Sequence, residues 1–259
     1  MPAPRRFALL AAATAATAAL AAGVVAPAAA AAPLVSSGSR TVFVGDYDTG
    51  DFCQWNTLQS VVQNGQACGY RGDHYSARLG DGGDGHRTAA RYELRDGDVP
   101  NVPGGERSEV RAGRAGDVHE GDERWYAFSL KFDRDFPSPT GSYMVVMQWH
   151  PVTGPPPLAV EVDRSGNLIV RNANVGETSE VIGRIKRGQW VDYVLHVRFS
   201  DDPSIGFVEV AENGTTVVRR TPWRGMPTAS NYLKEGLYRD KTDTARAVLW
   251  HDGLRVTAP

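Results

Sequence analysis

Residues 125–132 read Trp-Tyr-Ala-Phe-Ser-Leu-Lys-Phe. Tyr126, Phe128, Leu130 and Phe132 fall on one side of an extended chain, with smaller or polar residues on the other. That alternation marks a strand with one buried face. Residues 191–199 repeat the pattern through Val191, Tyr193, Leu195, Val197 and Phe199. Further strands are expected at 41–45, 88–94, 106–112, 143–150, 158–163, 167–171, 205–211, 215–219, 231–239 and 245–256. Gly, Pro, Asp and Asn separate them, as in Asp163-Arg164-Ser165-Gly166-Asn167 and Glu212-Asn213-Gly214. Helical periodicity is scarce. Roughly a dozen strands with one-sided patterning predict an all-β domain of two packed antiparallel sheets.

The ends of the chain bound this domain. Arg5 and Arg6 precede an apolar, Ala-rich run over residues 7–25, and small residues at 28–32 offer Ala-x-Ala cleavage sites. Residues 1–32 are expected to be a signal peptide, 33–40 a flexible lead and 41–259 the domain. The expectation is a secreted, extracellular protein that keeps no membrane contact after cleavage and acts as a monomer. The 259-residue chain carries a net charge of −2, and loss of Arg5 and Arg6 leaves 26 basic against 30 acidic residues. That balance argues against a broad nucleic-acid-binding surface and leaves room for a local basic groove. In an exported protein, Cys53 and Cys68 are expected to form a disulfide. Their spacing, with no nearby His or Cys pair, does not suit a metal site. Asp46, Asp48 and Asp51 lack the spacing of a calcium loop. No cofactor is expected.

Three stretches place reactive side chains on one strand face each. In Glu106-Arg107-Ser108-Glu109-Val110-Arg111, the two Arg share a face. In Gln148-Trp149-His150, Gln148 and His150 share a face and Trp149 lies behind. In Tyr232-Leu233-Lys234-Glu235-Gly236-Leu237-Tyr238, Tyr232, Lys234 and Tyr238 point one way, Leu233 and Leu237 the other.

With these motifs in this order, the chain resembles the concanavalin-like β-jelly-roll polysaccharide lyases. Over most of residues 43–256 it is most similar to the heparin lyase I-like group. Its active-site strands resemble those of the family seven alginate lyases: Arg-Ser/Thr-Glu-Leu-Arg, then Gln-Ile/Val-His, then Tyr-Phe-Lys-Ala-Gly-x-Tyr-x-Gln. Trp149 stands at the variable middle position. Glu235 replaces the Ala, and the third motif ends in Arg239-Asp240 instead of x-Gln. These departures bear on alginate specificity more than on the chemistry.

The resemblance implies cleavage of a uronate-containing polysaccharide by β-elimination. A uronic acid carries its carboxylate on C5, so the C5 proton is acidified by that group. Its removal needs charge neutralisation, a base, and an acid for the leaving oxygen. By resemblance and by residue type, Arg107 and Gln148 neutralise the carboxylate. His150 or Tyr238 serves as base, and Tyr238 as acid. Lys234, Tyr232, Arg111 and Arg239 are expected to bind substrate, with Tyr232 as a stacking platform. The groups Arg107, Gln148, His150, Lys234 and Tyr238 are expected to converge on the concave face of one sheet. The partner is expected to be an acidic polysaccharide: glucuronan, alginate or a heparin-like chain. Moderate local basicity leans towards an unsulfated polymer. Two other functions fit the sequence less well. One is a non-catalytic carbohydrate-binding jelly roll. The other is a glycoside hydrolase using two of Glu106, Glu109 and Glu235. His196, opposite the apolar face of its strand, is expected to be exposed or to line the groove.

Overall fold

A computed structural model describes residues 39–139, 141–174, 176 and 178–259. The expected signal peptide and most of the expected lead lie outside the described residues. The strands are β1 (Arg40–Gly45), β2 (Thr57–Gln59), β3 (Asn64–Gln66), β4 (Ala77–Gly80), β5 (Ala89–Leu94), β6 (Glu106–Arg111), β7 (Asp117–Val118), β8 (Glu123–Phe132) and β9 (Met144–Pro151). They continue with β10 (Leu158–Val162), β11 (Asn167–Arg171), β12 (Ser179–Arg184), β13 (Trp190–Arg198), β14 (Phe207–Glu212), β15 (Thr215–Pro222), β16 (Asn231–Arg239) and β17 (Ala247–Ala258).

These strands form two antiparallel sheets, the arrangement expected of the all-β jelly roll. One has eight strands in the order β15-β14-β13-β8-β17-β5-β4, with β1 added on β17. The other has nine, in the order β12-β11-β10-β9-β16-β6-β2-β3, with β7 added on β16. The inward faces carry the alternating residues seen in the sequence. Tyr126, Phe128, Leu130 and Phe132 from β8 meet Val191, Tyr193, Leu195 and Val197 from β13. Trp149, Leu233 and Leu237 face them from the nine-stranded sheet, each with no exposed surface. Burying a side chain of this kind stabilises by roughly 1.5–3 kcal/mol. The Asn213-Gly214 turn between β14 and β15 has φ of 46° and 76°, the left-handed pair that a two-residue hairpin turn needs.

Cys53 and Cys68 are bonded, with a sequence separation of 15. The bridge ties the two ends of the β2–β3 hairpin at one edge of the nine-stranded sheet. Closing a loop of this length stabilises by about 3 kcal/mol on the chain-entropy account.

A polar cluster sits between the sheets. Glu235 is fully buried and accepts a hydrogen bond from the Tyr47 hydroxyl. Tyr47 also bonds the Tyr92 hydroxyl at 2.7 Å, and His251 Nδ1 lies 3.6 Å from Glu235. Burial pushes Glu235 up to about 8 and His251 down to about 3. Both are therefore uncharged at neutral pH. Because the folded-state value of Glu235 is raised, its contribution to stability is complete below its unfolded value. It is lost as pH rises through about 8. His251, with a depressed value, contributes above its unfolded value and loses its contribution as pH falls through about 3. The two slopes oppose each other between roughly pH 4.5 and 6.5. Denaturant unfolding should thus show stability falling from about pH 6.5 towards 8. Glu235→Gln, which keeps an acceptor for Tyr47, should flatten that fall, and an undiminished fall would refute the assignment.

Candidate active site

The central strand of the site is β16, flanked by β6 and β9. Lys234 pairs with Arg111 of β6 and Gln148 of β9, and Tyr232 pairs with His150. Tyr238 pairs with Arg107 and Val145. A register shift between Glu235 and Tyr238 marks a bulge against β9. Gly236 lies there with φ 131°, where a Cβ would collide with the carbonyl oxygen of Ser108. Gly236 also stands opposite Glu109. A side chain there would press on the β6 backbone at Ser108 and Glu109, so only Gly fits.

Glu109 is the centre of the floor. Its carboxylate accepts from Lys234 Nζ at 2.5 Å and from Gln148 Nε2 at 2.5 Å, and Arg107 Nη1 lies 3.6 Å away. The sequence reading counts Glu109 among the carboxylates open to a hydrolase and gives it no part in the lyase site. Strand alternation from Arg107 to Arg111 already placed it on their face. Lys234, Gln148 and Glu109 are all buried. Burial lowers the proton affinity of Lys234, and Glu109 opposes that effect. Lys234 therefore belongs to the floor and does not reach a polymer chain, which corrects its expected role. Gln148 is covered in the same way, so its amide meets Glu109 before any substrate.

Above this floor lie the groups that reach solvent. The Arg107 guanidinium sits 4.2 Å over the Tyr238 ring, and that of Arg111 sits 3.9 Å over the Tyr232 ring. Each contact contributes about 0.5–2 kcal/mol, depending on its exposure. His150 stacks on Tyr232 with ring centroids 5.4 Å apart. With His150 and Arg111 both packed on its ring, Tyr232 is not an open platform for sugar, contrary to expectation. It holds His150 in place instead.

Nδ1 of His150 lies 2.6 Å from the carbonyl oxygen of Pro151. A carbonyl only accepts, so Nδ1 holds the proton and Nε2 the lone pair. Burial lowers the proton affinity of His150, with Lys234 and Arg107 adding to the effect. The imidazole is thus neutral at neutral pH and presents a basic nitrogen. His150 and Tyr238 line one cavity of about 410 Å³, with Tyr143, Val145, Glu161 and Arg171 among the other walls.

Arg239 was expected to bind substrate and does not. It follows Tyr238, so alternation turns it to the opposite face, where it is fully buried. Its Nε donates to Glu106 at 2.6 Å, directly across the β6–β16 pair. Glu106 and Glu235 thus both lie on the core side, and Glu109 is held by Lys234. The carboxylate pair that a hydrolase needs is not formed by these three residues. His196 is also misplaced by the sequence reading. It is buried on the outer face of the other sheet, between Glu123 at 2.6 Å and Glu209 at 3.1 Å, and stacked on Trp125.

The site thus sets a histidine and a tyrosine beside basic side chains on one face of a two-sheet jelly roll. Residues 47–255 match the family described as polysaccharide lyase, and the chain belongs to that family. The fold is similar to that of an endo-β-1,4-glucuronan lyase from the fungus Trichoderma reesei, with a TM-score of 0.62 and 17% identity over 85% of this chain and 96% of that one. It is also similar to a family 7 alginate lyase in complex with substrate, with a TM-score of 0.61 and 18% identity over 83% and 97% of the two chains. An alginate lyase from Pseudomonas aeruginosa gives a TM-score of 0.51 at 17% identity, over 73% of this chain and 88% of that one. No curated protein sequence matches the chain.

Proposed function

We propose that this polysaccharide lyase is secreted and cleaves an unsulfated polyuronate, of the glucuronan or alginate type, by β-elimination. The observation that carries this reading is the pairing of His150 and Tyr238 on one cavity beside a cationic floor. Arg107, Arg111, Arg171 and Lys234 outnumber the carboxylates of Glu109, Glu161 and Asp117 around this face, a local positive excess on an acidic protein. The names of the similar structures support a uronate polymer.

In this mechanism the C5 carboxylate lies against Arg107, whose guanidinium neutralises the charge that builds there. His150 Nε2 takes the C5 proton. The C5–H electron pair becomes the C4–C5 double bond, and the bond from C4 to the glycosidic oxygen breaks. The Tyr238 hydroxyl gives that oxygen its proton. Nothing is oxidised, and no water enters the product.

The test is a panel of glucuronan, alginate and heparin-like chains, followed by ultraviolet absorbance of the conjugated product. Unsulfated polyuronates should yield absorbing product at neutral pH. Preferential cleavage of the sulfated chain would overturn the substrate assignment, and inertness towards every uronate polymer would overturn the function.

A further inference from the structure

Beyond the motif residues, the oxygen of Tyr238 has two protein donors. Tyr143 Oη donates to Tyr238 Oη at 3.1 Å, and the Gly105 amide approaches the same oxygen at 3.5 Å. The two rings lie 4.9 Å apart. Both contacts use the Tyr238 oxygen as acceptor, so its own proton is spent on neither.

Tyr143 is held for this contact. It precedes β9, and its backbone carbonyl accepts from the Asp240 amide at 3.2 Å. The Asp240 carboxylate accepts from the Ser142 hydroxyl at 2.7 Å and the Ser142 amide at 3.1 Å. Next to it, the Gly141 amide donates to Asp243 at 3.1 Å. The segment 141–143 is therefore clamped to the chain just past Tyr238. Asp240 is one of the residues at which the third motif departs from the alginate-lyase pattern, and the clamp gives that departure a physical role.

We propose that Tyr143 is a positioning residue for proton transfer at Tyr238. The proposal rests on the reading of Tyr238 as the acid of an eliminating lyase. When Tyr238 gives up its proton, negative charge develops on its oxygen. A donor already aimed at that oxygen stabilises the charge without reorganisation. Burial and the bond to Tyr238 raise the proton affinity of Tyr143, so it remains a donor through the cycle. The other charged or titratable groups around Tyr238 are Arg107 from β6, His150 from β9, and Glu161 and Arg171 from β10 and β11, with Asp240 behind Tyr143. Lys234 and Glu109 share the same face.

Tyr143→Phe keeps the ring and removes the donor. It should lower kcat about tenfold with KM nearly unchanged, the scale of one lost hydrogen bond in a transition state. The alkaline limb of kcat/KM should move to higher pH by about one unit, because the Tyr238 oxygen then holds its proton more tightly. Tyr143→Leu removes ring and hydroxyl together and should move the limb in the same direction. Loss of activity in either variant with an unmoved limb would assign Tyr143 to packing and overturn the proposal. A Tyr143→Phe enzyme with native turnover would overturn it as well. Tyr238→Phe, measured in parallel, separates the two layers. If it retains full turnover, the reading of Tyr238 falls and takes this proposal with it. If it is inactive while Tyr143→Phe keeps the native profile, only the role of Tyr143 falls.

Discussion

Tyr238→Phe should reduce turnover by about a hundredfold or more while leaving the fold and polymer binding nearly intact. The substitution removes one oxygen. The ring keeps its contact with the Arg107 guanidinium at 4.2 Å and its place beside Tyr143. What is lost is the proton for the leaving glycosidic oxygen, an interaction made in the transition state and not in the ground state. The loss should therefore appear in kcat and equally in kcat/KM, with little change in KM. Tyr232→Phe is the comparison. Its hydroxyl lies 3.2 Å from His150 Nδ1, but that nitrogen is already bonded to Pro151, so the effect should be small. Equal losses in the two variants would place the effect in the packing of β16 and not in proton transfer.

Glu109→Ala should be the most destabilising single change in the site. Lys234 is 3% exposed and Glu109 1% exposed at their side chains, and they meet at 2.5 Å. Removing the carboxylate strands a buried ammonium, which typically costs about 3–5 kcal/mol. Gln148 loses its partner in the same step. The double variant Glu109→Leu with Lys234→Met replaces the pair by apolar groups of similar volume. It should recover most of the stability, because two charges no longer need solvation. It should not recover activity, because Arg107 is no longer held for the substrate carboxylate. Denaturant melts and turnover on the same preparations check both halves. A Glu109→Ala protein as stable as the parent would show that the floor is not built around this pair.

Much of this site was legible because β-strands alternate. Alternation placed Leu233 and Leu237 in the core and Arg107, Gln148, His150, Lys234 and Tyr238 on one face. It gave the face of each residue but not its depth. β16 lies between β6 and β9, so neighbouring side chains cover its centre. That is why Lys234 is floor and why Tyr232 is packed by His150 and Arg111 from the two flanking strands. Arg239 was misread although the same alternation, counted one residue past Tyr238, turns it inward to Glu106. His196 was misread for a non-local reason. Its carboxylate partners lie on β8 and β14, and no pattern within β13 points to them. Tyr143 opens the strand expected at 143–150, but nothing in that pattern points to Tyr238; its position depends on the Asp240 clamp across the chain. Among the elements, β2, β3, β4, β7 and β12 escaped notice. They are short or edge strands. β12, for example, runs Ser179–Arg184 with one fully buried residue, Ile182, so its alternation is weak.

The central claim is elimination, and the mass of the product tests it most directly. A susceptible polyuronate is digested to short oligomers, and the new ends are weighed by mass spectrometry beside their ultraviolet spectrum. The account predicts that every new non-reducing end lacks the elements of one water relative to a hydrolysed end and carries a conjugated double bond. New ends of full hydrated mass, without the absorbance, would contradict it.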